Sequence, residues 1–289
     1  MSEKYSFAPQ RPFTNAPSAV TLATMITAPA PSSSLLATRP CGTSAGEPIT
    51  RDSLSPDEYA AYHRDGYVIL RGILDPTRVG DIAADVLAIL KARNAPDSFL
   101  AQASEYLAES PTSGLVNSAR LRAIAAQALE GPAHLYLPFT AVKGPGQGQF
   151  TFHQDNSYTR LDGPACNCWF ALSPMRVDNG CMRMVPGSHV SGTLEAEASQ
   201  LCPGHRQVRA PSAWEDLVME PGDAVMFSRL TVHGSGANRT QQPRLAYAVQ
   251  FHRRDVRAFF EDSWELLTVR PRWKAGPVAE LSATRGREV

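Results

Sequence analysis

The sequence predicts a mainly β fold, a sandwich or barrel with helices flanking it, and three observations carry that expectation. From Leu135 onward, short apolar or alternating runs (135–142, 149–153, 166–172, 181–185, 216–220, 224–227 and 244–252) are separated by Gly, Pro, Asn and Asp. Runs this short, spaced by turn residues, are the pattern of antiparallel strands in a closed or double-layered sheet. Helical periodicity is confined to the part of the chain before them, so the helices come first and pack on the outside. The chain has 289 residues, 43% of them hydrophobic, which is enough for one sizeable core.

In chain order, residues 1–52 are expected to form a disordered tail. They are rich in Ser, Thr, Ala and Pro, hold only Glu3 and Glu47 as acids up to Thr50, and contain no basic segment followed by an apolar run. Residues 53–289 are read as a single domain. Ser55 is placed to cap a short helix, with Pro56 at its first position and Glu58 three residues past the cap. That helix runs through Tyr62, Gly66 breaks it, and Tyr67-Val68-Ile69-Leu70 reads as a short buried strand. Asp75-Pro76 opens a second helix, whose Val79, Ile82, Ala83, Val86, Leu87 and Leu90 recur at intervals of three and four and so share a face. A third helical pattern spans 118–129 and stops at Gly131-Pro132. The glycines between Lys143 and Gly148 match no phosphate-binding pattern and precede a strand, so they read as a loop at the barrel mouth.

Bulk charge excludes several functions. Lys+Arg and Asp+Glu each count 28, so no net field draws in nucleic acid or an anionic membrane surface. No window approaches the roughly 18 consecutive apolar residues of a spanning helix. Five cysteines, an odd number without a recognisable secretory leader, imply reduced thiols and a cytoplasmic location. Cys166 and Cys168 share a face of one expected strand, but no second Cys/His pair has zinc-finger spacing, so both read as buried thiols.

The residues that suggest chemistry are His153, Asp155 and His233. On a strand, positions i and i+2 project to one face, so His153 and Asp155 can offer a nitrogen and an oxygen to one ion, with His233 joining them through the fold. Two histidines and a carboxylate on one side of an octahedral ion leave its other positions open, the arrangement of Fe(II) oxygenases. Alone, the His-x-Asp pair is weak, since a surface histidine beside a turn aspartate gives the same pattern. Arg244 adds weight. It opens an alternating run in which Arg244, Ala246, Ala248 and Gln250 share one face while Leu245, Tyr247, Val249 and Phe251 share the other. An arginine beside two alanines has room to grip a carboxylate with its forked donors, although a strand-end ion pair gives the same spacing.

With these residues in place, the chain resembles the phytanoyl-CoA dioxygenase family of Fe(II)/2-oxoglutarate oxygenases, from about Leu54 to Arg253. The resemblance rests on Ser55-Pro56-Asp57-Glu58 with Asp65-Gly66-Tyr67, on His153-Gln154-Asp155, and on Asn179-Gly180-Cys181 followed by Pro186-Gly187-Ser188-His189. Pro221-Gly222-Asp223, and His233-Gly234-Ser235 with Asn238-Arg239 and Arg244, complete it. It implies a double-stranded β-helix, a jelly-roll of cupin-like form. It further implies His153, Asp155 and His233 as iron ligands, Arg244 and Ser235 at the distal carboxylate of 2-oxoglutarate, and Trp169 bordering that co-substrate, a position a core tryptophan would equally fill. Met182 stands where some members carry Thr, and Gln149 lies one residue from a family Gln. Related halogenases have a small residue where this chain has Asp155, which disfavours halogenation.

The activity so implied is O₂-dependent oxidation, by default hydroxylation, of a small metabolite or biosynthetic intermediate. Substrate choice would lie in the helical N-terminal part, the 144–148 loop and residues 191–214. Two other readings compete: a non-catalytic β-barrel that retains the metal pocket and binds a small molecule, and a zinc hydrolase, for which no Glu is placed as general base. His189 reads as a turn residue with a structural hydrogen bond, and Asp223 as a residue that orders its own turn.

Overall fold

The Ser55 cap forms as expected. Its hydroxyl accepts from the Glu58 N–H and the Glu58 carboxylate accepts from the Ser55 N–H, which starts helix α1 (Pro56–Asp65). Gly66 ends it at φ 81°, a left-handed conformation that costs glycine little, and turns the chain directly into β1 (Tyr67–Leu70). The computed structural model describes residues 46–92, 99–101, 110–202, 205–260 and 262–267. After β1 come α2 (Pro76–Ala92), β2 (Phe99–Ala101), α3 (Pro111–Val116) and α4 (Ala119–Ala128).

The remaining strands are β3 (Ala133–Ala141), β4 (Phe150–His153), β5 (Ala165–Ala171), β6 (Met182–Met184), the short β7 (Glu197–Ala198) and β8 (Arg206–Gln207), and β9 (Glu215–Asp216). β10 (Ala224–Ser228), β11 (His233–Ser235), β12 (Ala246–Arg253), β13 (Arg257–Phe260) and β14 (Ser263–Leu266) follow. They form a six-stranded sheet in the order β1-β10-β5-β12-β3-β2 and a four-stranded sheet in the order β4-β11-β6-β9. All paired strands run antiparallel. The two sheets face each other as a jelly-roll, the double-stranded β-helix.

Alternation along the central strands divides the interior in two. Cys166, Cys168 and Phe170 of β5 join Tyr247, Val249 and Phe251 of β12 in a core shared with Val86 and Leu90 of α2 and Leu121 and Ile124 of α4. The opposite residues, Trp169 and Ala171 of β5 with Ala246 and Ala248 of β12, pack against Met182 and Met184 of β6 between the sheets. Each large apolar side chain buried this way contributes about 1.5–3 kcal/mol.

Several expectations need correction. The packed chain starts before Ser53: Ile49 is 1% exposed in the helix-side core and bridges Leu74, while residues 1–45 lie outside the described set. On α2, Leu87 is exposed and Ile89 takes a buried place, because the sheet covers a face rotated from the one the spacing suggests. The run 216–220 contributes only β9, with Met219 bridging Met175. Arg244 precedes β12 and bridges Lys143 instead of lying in the strand. Among the described residues no helix is long and apolar enough to cross a membrane.

Candidate active site

β11 sits between β4 and β6, and its register with β4 sets His233 directly opposite His153. Paired residues of an antiparallel ladder carry their side chains to the same face. The two imidazole rings are accordingly 4.3 Å apart. Each Nδ1–H donates to the carbonyl two residues earlier, His153 to Thr151 at 2.8 Å and His233 to Thr231 at 2.9 Å. Both rings are thereby fixed in the tautomer that leaves Nε2 with a free lone pair.

Asp155 arrives differently from the expectation. β4 ends at His153, and Asp155 begins a short 3₁₀ turn (Asp155–Ser157), so strand periodicity does not bring it to the side of His153. The opposite sheet does. Asn167 of β5 and Gln250 of β12 are cross-strand partners, and their amides donate to Asp155 Oδ2 at 3.3 and 2.9 Å. Arg229 donates to the Asp155 carbonyl at 2.9 Å and to Gln250 Oε1 at 2.9 Å. With Oδ2 taken, Oδ1 faces His233 Nε2 at 3.6 Å. Ligand atoms of the three residues lie within 4.8 Å of one another, and they are the one such group among the described residues.

Electrostatics fit a cation. Burial first, then the neighbouring His233, pushes His153 down to about 3, so its imidazole is neutral at pH 7. Burial on its own raises the Asp155 carboxyl, but His233, Arg229, His153 and Asn167 together hold it below its usual value. A neutral imidazole and a carboxylate are the ligand forms a divalent ion requires.

The same pocket reaches Trp169, Ser235 and Arg244. Arg244 is 2% exposed, its Cζ lies 5.0 Å over the Trp169 ring, and its Nη1 donates to the Gly180 carbonyl at 2.5 Å. Gly180 adopts φ 78°, and a Cβ there would stand 2.4 Å from the Gly236 carbonyl, so the Asn179-Gly180 turn fits only glycine. Arg244 Nε is buried without a partner, and no carboxylate pairs with the guanidinium among the described residues. Burial accordingly pushes Arg244 down to about 10. A buried, unpaired guanidinium is a fit for the carboxylate of a ligand.

Of the six residues singled out in the sequence, all line this one pocket. Met182 lines it too, whereas the Gln149 carbonyl is turned to Cys202 Sγ. His189 donates from Nε2 to the His63 carbonyl at 3.2 Å. Asp223 accepts within its turn from the Glu220 N–H at 2.9 Å, but also from the Gly72 N–H at 2.8 Å and from Arg71. Cys166 and Cys168 are core thiols. Sequence reasoning missed Gln250, Asn167, Arg229 and Lys143. Gln250 and Asn167 carried a signal, since period two puts them on the faces of Arg244 and Trp169; Arg229 and Lys143 carried none.

Comparison with known proteins agrees with this geometry. Methylphosphonate hydroxylase of Gimesia maris is 34% identical over 113 residues, 39% of this chain and 43% of that protein, so the match spans less than half of the relative's length. The multifunctional dioxygenase ausE of Emericella nidulans is 26% identical over 69% of this chain and 73% of its own. Among solved structures, the non-heme alpha ketoglutarate dependent carbocyclase SnoK from nogalamycin biosynthesis superposes with a TM-score of 0.61 at 23% identity, covering 73% of this chain and 89% of that one, which shows the shared fold. The family model described as Phytanoyl-CoA dioxygenase (PhyH) matches residues 62–246, well over half of the sequence, and the chain therefore belongs to the phytanoyl-CoA dioxygenase family of Fe(II)- and 2-oxoglutarate-dependent oxygenases.

Proposed function

We propose that this protein hydroxylates a small organic metabolite, with His153, Asp155 and His233 holding Fe(II) and with Arg244 and Ser235 holding the distal carboxylate of 2-oxoglutarate. The observation that carries the reading is that a two-histidine, one-carboxylate cluster and a buried arginine with no carboxylate partner among the described residues open into one pocket. When bound, iron and 2-oxoglutarate supply the oxidising chemistry with O₂. The chain's own residues bind and orient. His153 and His233 present Nε2 because Thr151 and Thr231 hold Nδ1, and Asp155 presents Oδ1 because Asn167 and Gln250 hold Oδ2. Trp169 lies beneath the guanidinium and holds it by its ring face.

Asp155 would fill the position on iron that a halide would need, so hydroxylation is the assigned outcome in preference to halogenation. A zinc hydrolase would leave Arg244 without a task. Beside the metal cluster stand Tyr158, whose ring is 5.6 Å from that of His153, and His205, which shares a 3.2 Å hydrogen bond with the Tyr158 hydroxyl. His205 lies within the 191–214 segment expected to choose the substrate, and these rings suit a small organic molecule. We read the chain from Pro48 onward as one catalytic domain, and the four free thiols among the described residues suit a reducing, cytoplasmic setting.

The test is anaerobic addition of Fe(II) and 2-oxoglutarate, which should produce a weak visible charge-transfer band, followed by air and a metabolite screen read as succinate release. Asp155→Ala should give neither substrate-dependent succinate nor product. Wild-type turnover without 2-oxoglutarate would overturn the assignment, and absence of both band and succinate would favour a non-catalytic barrel.

A further inference from the structure

Arg229 is 4% exposed, and among the described residues no carboxylate pairs with it. Its guanidinium stands over the Tyr136 ring at 5.0 Å, and its Nε is buried without a partner. A buried cation without a counter-ion costs stability, so the contacts it does make must offset that cost. Nη2 donates to the Asp155 carbonyl at 2.9 Å and to the Thr159 carbonyl at 3.2 Å, on either side of the turn that carries the Asp155 carboxylate. The Arg229 main chain holds the same turn, its carbonyl accepting from the Asn156 N–H at 3.3 Å. Nη1 donates to Gln250 Oε1 at 2.9 Å.

The bond to Gln250 fixes more than a distance. A carboxamide has a donor end and an acceptor end of nearly equal shape, so packing alone does not choose which end meets Asp155. A guanidinium is all donor and has no acceptor. Beside Arg229, Gln250 can present only Oε1, and that leaves Nε2 for Asp155 Oδ2 at 2.9 Å. Turned over, the amide would set its oxygen against a carboxylate and its NH₂ against a cation. The second amide on Oδ2 has no such constraint: Asn167 donates at 3.3 Å, and its own Oδ1 is buried without a partner.

We propose that Arg229 is a positioning residue for the metal centre: it imposes the donor end of Gln250 on Asp155 Oδ2 and so selects Oδ1 as the oxygen that faces the ion. The proposal rests on the metal reading given above. Two effects of Arg229 oppose each other, and their signs separate them. Its positive charge on its own disfavours a second cation nearby. Its hold on Gln250 favours that cation by keeping the carboxylate in place. Weaker Fe(II) binding on removal of Arg229 therefore reports the hold and not the charge.

Anaerobic Fe(II) titration of the full chain tests this, with Gln250 intact and in a Gln250→Leu background. With Gln250 intact, Arg229→Met should weaken Fe(II) about tenfold. Arg229→Lys, which also brings donors and no acceptor, should recover part of that loss. With Gln250→Leu already present, Arg229→Met should cause no further weakening. Unchanged or tighter binding by Arg229→Met overturns the proposal, as does an Arg229→Lys variant that recovers nothing. An equal loss in both backgrounds also overturns it, because the effect would then belong to the Asp155 and Thr159 carbonyl contacts. If Arg229→Met does not fold, Arg229→Gln, whose acceptor lets the Gln250 amide turn over, is read in the same way. A wild-type protein that takes up no Fe(II) would instead sink the metal reading itself.

Discussion

Gln250 Nε2 lies 2.9 Å from Asp155 Oδ2, and the same side chain's Oε1 accepts from Arg229 at 2.9 Å. A residue on the large sheet thus orients a carboxylate that hangs beyond the end of a strand on the small one. Gln250→Leu removes the donor while keeping the volume, and it frees the carboxylate to rotate. We expect Fe(II) affinity to fall about 10- to 100-fold, the usual consequence of losing a partner behind a metal ligand. Anaerobic Fe(II) titration measures it. Wild-type affinity in the variant would show that Asn167 alone suffices to orient Asp155.

Arg244→Lys tests the carboxylate end. Lysine keeps the charge but loses the fork, the flat contact over Trp169 and the bond to Gly180. Apparent 2-oxoglutarate affinity should weaken at least about tenfold, with Fe(II) affinity unchanged because the guanidinium is not among the metal-facing groups. An unaltered dependence of succinate release on 2-oxoglutarate concentration would reject the role.

These two residues show how far the sequence could be read. Period two assigned Ala246 to Phe251 of β12 to their correct faces, so Arg244 and the alanines beside it were legible, as were the helix caps and both histidines. Asp155 was assigned to the right cluster by the wrong geometry: the strand ends two residues earlier, and only long-range amides aim the carboxylate. Local spacing cannot encode a contact whose partners lie on strands β5 and β12. Lys143 was unreadable for the same reason, since its significance is the bridge to Arg244 about a hundred positions away, and nothing in the residues around it signals a buried ammonium.

Ile49, ahead of the boundary expected at Ser53, is packed into the helix-side core. The expected boundary at Ser53 came from composition, which cannot see one isoleucine inserted into a core formed elsewhere. Around it, Thr50 N–H donates to the Ile73 carbonyl at 2.9 Å and Asp75 N–H to the Pro48 carbonyl at 2.8 Å. Ile49→Ala should destabilise the protein by about 2–5 kcal/mol, the range for truncating a fully buried isoleucine. Urea unfolding measures the change, and a loss near zero would mean that this segment is not part of the folded domain.

Asp223 ties β1 to the turn before β10 through three acceptances, from the Gly72 N–H, the Glu220 N–H and Arg71. The Arg71 side chain is 59% exposed, so its ion pair adds little, and the two backbone bonds carry the stabilisation. Burial raises the Asp223 carboxyl, yet those N–H groups and Arg71 outweigh it and hold it below the usual 3.8. A depressed carboxylate stabilises the folded state fully above its unfolded pKa, and that contribution is lost as pH falls through the lower folded value. Asp223→Asn should therefore lose about 2 kcal/mol at pH 7, and the gap to wild type should narrow as pH drops below the usual carboxylate value, where the native side chain also becomes neutral. Urea unfolding at pH 7 and in acid compares the two proteins. A gap that stays constant across that range would show that shape at the turn, and not the charge on Asp223, is what the fold uses.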